Sequence, residues 1–171
     1  MSSQEDNQNE GCKKALELAV TSNKTIQKMI ESIENLGCKL PENFFACRPC
    51  DENISGGLLT NSAKAKDYKP QVILCQNRWL ESETFENTII HELVHAYDAC
   101  RVKAFDASKC LEHACTEIRA SAMSGECGLL HEMARGNIAL TNGHNACVKR
   151  RATISVSANP ACQVILLIYP S

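Results

Sequence analysis

A chain of 171 residues has the length of one domain and can bury a real core. Its net charge of −2 gives no global pull toward nucleic acid or acidic lipid, and an aromatic content of 5% argues against a base-stacking RNA reader. The longest late apolar run, Val164 to Ile168, is far short of the ~20 residues that a bilayer span needs.

Cysteine is the outlier, with 11 residues spread from Cys12 to Cys162. That spread points to several disulfides in an oxidising compartment, and the odd number leaves at least one thiol over. Residues 1–11 are polar and acidic, with no apolar core of a secretory signal and no Arg-rich amphipathic helix. Many cysteines without such a signal fit the mitochondrial intermembrane space, where oxidative folding traps proteins that carry no cleaved presequence.

In chain order, residues 1–11 read as a disordered leader. Residues 12–36 carry a helical pattern, with Leu16, Ala19 and Val20 in one patch and Ile26, Met29, Ile30 and Ile33 in another. Gly37 is the expected stop. A turn and short strand follow around Phe44-Phe45-Ala46. The single Cys47-x-x-Cys50 has no matching pair for a zinc knuckle, so it reads as a redox pair or two structural half-cystines. Gly56-Gly57 permits a tight bend, residues 61–69 read as a polar loop, and Val72 to Cys75 is the best strand. Together these predict a small antiparallel sheet.

The next helix carries the chemistry. Thr84 is a candidate N-cap, and Ile90, Leu93, Val94 and Tyr97 form an apolar stripe. His91-Glu92-x-x-His95 sits on it. Positions four apart share a helix face, so both imidazoles can grip one ion while Glu92 lies near its water. This is the spacing of a zinc hydrolase. The fold class expected is therefore α+β and zincin-like, mostly helical with a small antiparallel sheet before the motif helix. In proteases of that plan an edge strand beside the cleft pairs with the substrate backbone.

A second helix is expected over 109–124, with Ser108 as candidate cap and Gly125 as stop. Leu111, Ala114, Ile118 and Ala122 are expected to pack on one side, with His113, Glu117 and Ser121 lining another. Further helices are expected over 129–139 and 145–156, the latter stopped by Asn159-Pro160. Its basic run, Lys149-Arg150-Arg151, reads as a solvated face, too short for useful phosphate contact; no nucleic-acid partner is expected.

A catalytic zinc needs three protein ligands and an open position. Glu117, 22 residues beyond His95, is the first choice for the third. His113, one turn earlier, is the alternative ligand or a supporting partner. Asp98 is a further candidate, or the group that orients a ligand imidazole. Glu92 is the candidate general base.

Several stretches together are distinctive. They include Phe45-Ala46-Cys47-Arg48-Pro49-Cys50, Leu74-Cys75-Gln76-Asn77, the run from His91 to Arg101, the run from His113 to Ala120, Ser124-Gly125-Glu126-Cys127 and Cys147-Val148-Lys149-Arg150-Arg151-Ala152. On these the chain resembles the mitochondrial inner-membrane zinc metalloproteases that also act as ATP-synthase assembly factors, a family also called Ku-binding proteins. The resemblance covers residues 38–160. It implies a protein peripheral to the inner membrane on its intermembrane-space side. It implies maturation of the precursor of a membrane-embedded ATP-synthase subunit, a chaperone-like role in assembly, and metal binding by His91 and His95 with catalysis by Glu92. The alternatives are an assembly chaperone without proteolysis on the same fold, or an inactive truncated isoform. The family pattern continues past the Asn-Pro-x-Cys element with an amphipathic helix. Here residues 163–171 read as an atypical short tail after a domain at 12–162, and Cys110 looks additional to the family set.

Overall fold

In a computed structural model, the residues described are 3–50, 54–59, 70–78, 82–102, 105–137 and 141–162. The polar loop expected at 61–69 and the tail at 163–171 lie outside them.

The first helical stretch is two helices, α1 (Ser3–Ser22) and α2 (Lys24–Asn35). They separate at Asn23, whose side-chain oxygen accepts from the N–H groups of Thr25 and Ile26 and so caps α2. Its amide also donates to Glu86 at 2.7 Å, which docks the break onto the motif helix. Of the expected disordered leader, residues 3–11 are instead the first turns of α1. Polar residues hold it there: Asn9 donates to Gln76 at 2.6 Å and to the Cys47 carbonyl at 3.2 Å, and Cys12 is bonded to Cys47. A polar composition with few apolar contacts concealed this anchoring. Gly37, at φ +88°, follows the end of α2 in the left-handed region where glycine is favoured.

Three strands form one sheet, β1 (Phe45–Arg48), β2 (Gly56–Leu59) and β3 (Gln71–Cys75), in the order β1-β3-β2. The sheet is mixed, not antiparallel as expected. β1 runs parallel to β3, with Phe45 opposite Val72, while β2 is antiparallel to it, with Gly57 opposite Ile73. A parallel pair needs a long crossover, and the chain between β1 and β3 supplies it, spending part of it on β2 at the outer edge. Gly56-Gly57 is thus strand rather than bend. The glycine at 56 has a packing reason: a Cβ there would meet the Ile73 carbonyl and the Thr88 methyl, each at 2.9 Å. Position 57 faces open space.

The motif helix α3 (Ser82–Arg101) begins two residues before the expected cap at Thr84. Phe85, Ile89, Leu93 and Ala96 enter the main core with Ile26, Ile33, Val72 and Leu74. Helix α4 (Cys110–Met123) is capped by Lys109 without a side-chain bond. Ser108, the expected cap, donates to Asp106 instead. Helix α4 is also turned the other way round from expectation. Leu111 is 78% exposed and Ile118 47%, while Thr116, Glu117, Ala120 and Ser121 are buried. The polar face is inside because it meets α3 across the cleft described below. Helices α5 (Leu129–Ala134) and α6 (Gly143–Ala158) follow, then a 3-10 turn at Pro160–Cys162.

Ten cysteines pair: Cys12–Cys47, Cys38–Cys100, Cys50–Cys75, Cys110–Cys162 and Cys127–Cys147. Cys47 and Cys50 are half-cystines of different bridges, which removes the redox-pair reading. Cys110, extra to the expected pattern, closes α4 onto Cys162. Each bridge constrains the unfolded chain by ~3 kcal/mol in a loop-entropy account. Cys115, exposed on α4, is the free thiol. Native protein is therefore expected to show one thiol reactive toward a disulfide reagent without reductant, and none in Cys115→Ser. Several reactive thiols in carefully oxidised protein would contradict this pairing.

Candidate metal centre and catalytic cleft

Helix α3 turns one face into the core and the other toward α4. One turn apart on that second face, His91 and His95 project into a cleft of about 540 Å³. Ser55, Gly56, Gly57 and Leu58 of the β2 edge form one wall, and His113 and Ile154 belong to the other. Gly125, at φ +91°, ends α4 over Asn87 of α3, where a Cβ would lie 2.9 Å from the Asn87 oxygen. That close approach sets α4 against α3.

Glu117 comes back to the two histidines as the chain reverses from α3 into α4. Its Oε2 is 3.4 Å from His91 Nε2 and its Oε1 is 3.3 Å from His95 Nε2. One donor atom from each of the three residues lies within 4.8 Å of the others. Ligands ~2.1 Å from a tetrahedral ion stand ~3.4 Å apart; each imidazole is that far from one or other oxygen of Glu117, and the whole set lies within 4.8 Å. The donors are also chemically right: two imidazoles and one carboxylate, with room on the cleft side. His113 is set behind them. Its Nε2 is 3.1 Å from Glu117 Oε1, and the Asn159 amide reaches its Nδ1 at 3.0 Å. Since that amide nitrogen donates, His113 Nδ1 accepts, and its Nε2–H points at Glu117.

His95 has a matching support. Its Nδ1 is 2.9 Å from the Thr116 hydroxyl, which donates to Asp98 Oδ2 at 3.0 Å. The hydroxyl oxygen then accepts from His95 Nδ1–H, leaving the Nε2 lone pair aimed at the cluster. Asp98 therefore reaches the imidazole through Thr116. Arg119 and Arg101 donate to the two Asp98 oxygens at 3.0 and 3.2 Å.

His91 Nδ1 faces a third acid, Glu126, at 3.3 Å. Glu126 Oε1 is buried without a well-directed hydrogen bond. Its Oε2 receives Arg151 of α6. Arg150 pairs with buried Glu132 in the same way, at 2.6 Å. The basic run expected to be solvated is therefore largely used in ion pairs from its helix. Thr116, Glu126, Arg151 and Asn159 are the site residues that sequence reasoning missed. All four lie in or beside stretches that stand out in the sequence, but nothing local says which partner each would meet.

Glu92 is buried beside these groups and lines the cleft together with Leu58 of the edge strand. Burial raises its pKa above the ordinary carboxylate value, against the pull of His95 and His91. Burial pushes His91 the other way, down, but the carboxylates of Glu117 and Glu126 outweigh it and raise its pKa to about 10. Glu117 is lowered and Glu126 held at about 2, in both cases because the neighbouring histidine charge overcomes the effect of burial. Without a metal the cluster thus takes up a proton at His91, placed where a cation would sit.

Comparison with known proteins gives the class, a peptidase. The Peptidase M76 family model matches residues 10–165, and the chain belongs to that family. The chain is 37% identical over 153 residues to "Mitochondrial inner membrane protease ATP23" of Yarrowia lipolytica, covering 89% of this chain and 58% of that protein. It is 35% identical over 153 residues to the protease of the same name from Schizosaccharomyces pombe, covering 89% of this chain and 78% of the relative. It is 30% identical over 151 residues to the Homo sapiens "Mitochondrial inner membrane protease ATP23 homolog", covering 88% of this chain and 58% of the relative. No solved structure matches. Among the described residues no helix is long and apolar enough to cross a membrane.

A metal ligand must be a neutral imidazole, whereas His91, with its pKa raised to about 10, is protonated at pH 7.5 in the metal-free chain. Loading a divalent cation is expected to expel about one proton per ion, read as a dependence of binding enthalpy on buffer ionisation. No such dependence at pH 7.5 would contradict the charge assignment at His91.

Proposed function

We propose that this chain is a zinc-dependent endopeptidase of zincin-like plan, working peripherally at the mitochondrial inner membrane on its intermembrane-space side. Its substrate in this reading is the precursor of a membrane-embedded ATP-synthase subunit, from which it removes an N-terminal segment, and it assists assembly of that subunit. One observation carries the reading. Glu117 returns from a second helix to the same point as His91 and His95, with buried Glu92 beside them. The names of the relatives support the compartment, and the five disulfides support an oxidising one. The ATP-synthase substrate and the assembly role rest on the motif resemblance.

His91, His95 and Glu117 would hold the ion, the two imidazoles through Nε2. Zinc there supplies a Lewis acid and lowers the pKa of a water toward neutrality. The chain's residues do the rest. β2 is the outer strand of the sheet on the cleft side, to which an extended peptide can add as a further strand. Glu92 accepts the proton of the attacking water and passes it to the leaving amine. Its raised pKa suits both halves of that transfer.

Replacing Glu92 by Gln keeps the side chain's shape and removes its basicity. Glu92→Gln is expected to retain one zinc per chain and to lose precursor cleavage by a factor of ~10²–10⁴. Unchanged turnover would refute the assignment. Equal rescue of ATP-synthase assembly by wild type and Glu92→Gln would separate the assembly role from proteolysis.

A further inference from the structure

Two stretches that stand out in the sequence take no part in hydrolysis as described: Ser124-Gly125-Glu126-Cys127 and Cys147-Val148-Lys149-Arg150-Arg151-Ala152. In the fold they meet twice. Cys127 is bonded to Cys147, and the neighbouring Glu126 is paired with Arg151.

The pairing is one-sided. Arg151 places Nε at 2.9 Å and Nη2 at 2.6 Å from the same oxygen, Oε2. That leaves Oε1, buried and without a well-directed bond, as the atom 3.3 Å from His91 Nδ1. The backbone is held as well, since Arg135 donates to the Glu126 carbonyl at 2.7 Å. Arg135 and Arg150 both close on Glu132, at 2.9 and 2.6 Å, so α5 and α6 are tied together next to this point. His95 has Thr116 and Asp98 behind it, and Glu117 has His113 and Asn159. His91 has Glu126, steadied by α6.

We propose that Glu126, held by Arg151, is the positioning residue of His91. Oε1, 3.3 Å from Nδ1, is the acceptor toward which Nδ1–H turns when Nε2 takes an ion, and it so fixes the tautomer and the ring rotation. The inference rests on the reading that His91 is a metal ligand. A ligand histidine whose outer N–H loses its partner keeps its place in the sequence but not its orientation, and such losses weaken metal binding by ~10–100-fold. Arg151 acts only through Glu126: without it the carboxylate is free to swing and to take water in place of His91.

The test uses the full-length, oxidised chain, zinc affinity by competition with a chromophoric chelator, and the visible absorption of the cobalt-loaded protein as a reporter of ligand geometry. Glu126→Ala is expected to weaken zinc by ~10–100-fold and to change the cobalt spectrum. Glu126→Gln, whose amide oxygen still accepts from Nδ1–H, is expected to recover most of that loss, which a purely structural role would not predict. Arg151→Ala is expected to weaken zinc as well, and to add little to Glu126→Ala in the double variant. Folded Glu126→Ala with wild-type affinity and an unchanged cobalt spectrum overturns the inference. So does a fully additive double variant. Should Glu126→Ala fail to fold, Arg151→Ala decides, and wild-type affinity there overturns it. Wild-type protein that binds no metal overturns the proposed function and this inference together; tight wild-type binding with an insensitive position 126 overturns the inference alone.

Discussion

Three carboxylates and two imidazoles share one buried region between α3 and α4, and the rest of the structure accommodates that crowding. Bringing Glu92, Glu117 and Glu126 out of water beside one another is unfavourable unless positive charge stands among them. In the chain by itself His91 supplies it, its pKa raised to about 10 while Glu117 and Glu126 are lowered. A divalent cation supplies it better, with two charges at one point between donors that already converge. The polarity of α4 follows from the same constraint. Its buried residues include Thr116, Glu117 and Ser121, whereas Leu111 and Ile118 face outward.

The scaffold around this cluster keeps polar groups from drifting. The apolar core on the far side of α3, from Phe85 to Ala96 against α2 and the sheet, fixes the helix that carries both histidines. Glycine at 56 lets β2 approach that helix closely, since a Cβ there would meet the Thr88 methyl at 2.9 Å and lie 3.7 Å from the Glu92 side chain. On the opposite side the second buried apolar cluster among the described residues is smaller, Cys127, Cys147 and Val148. Covalent and ionic ties stand in for hydrophobic burial there, through two disulfides and the pairs of Arg150 and Arg151. A small core supplemented by bridges is the expected economy in an oxidising compartment.

What the sequence made legible was local. His91-Glu92-x-x-His95 needs one helical turn, and the stripe of α3 and the stops at Gly37 and Gly125 depend on neighbours a few residues away. What it concealed was long-range. A reader of periodicity places Leu111 and Ile118 inward, because nothing in a single helix says that a buried acid will outweigh apolar burial. The mixed sheet was hidden because strand direction is set by the crossover between β1 and β3, not by the strands themselves. The anchoring of residues 3–11 depends on Asn9 meeting Gln76, 67 positions away, and the supports of the histidines depend on α6, which no pattern near the motif announces.

The account stands on a cation held by two imidazoles and a carboxylate. X-ray absorption at the zinc edge of the loaded, fully oxidised chain measures that directly. The predicted result is a first shell of nitrogen and oxygen alone at ~2.0–2.1 Å, with the outer-shell scattering of two imidazoles and no sulfur. A sulfur shell at ~2.3 Å, or protein that retains no zinc after dialysis, would contradict it.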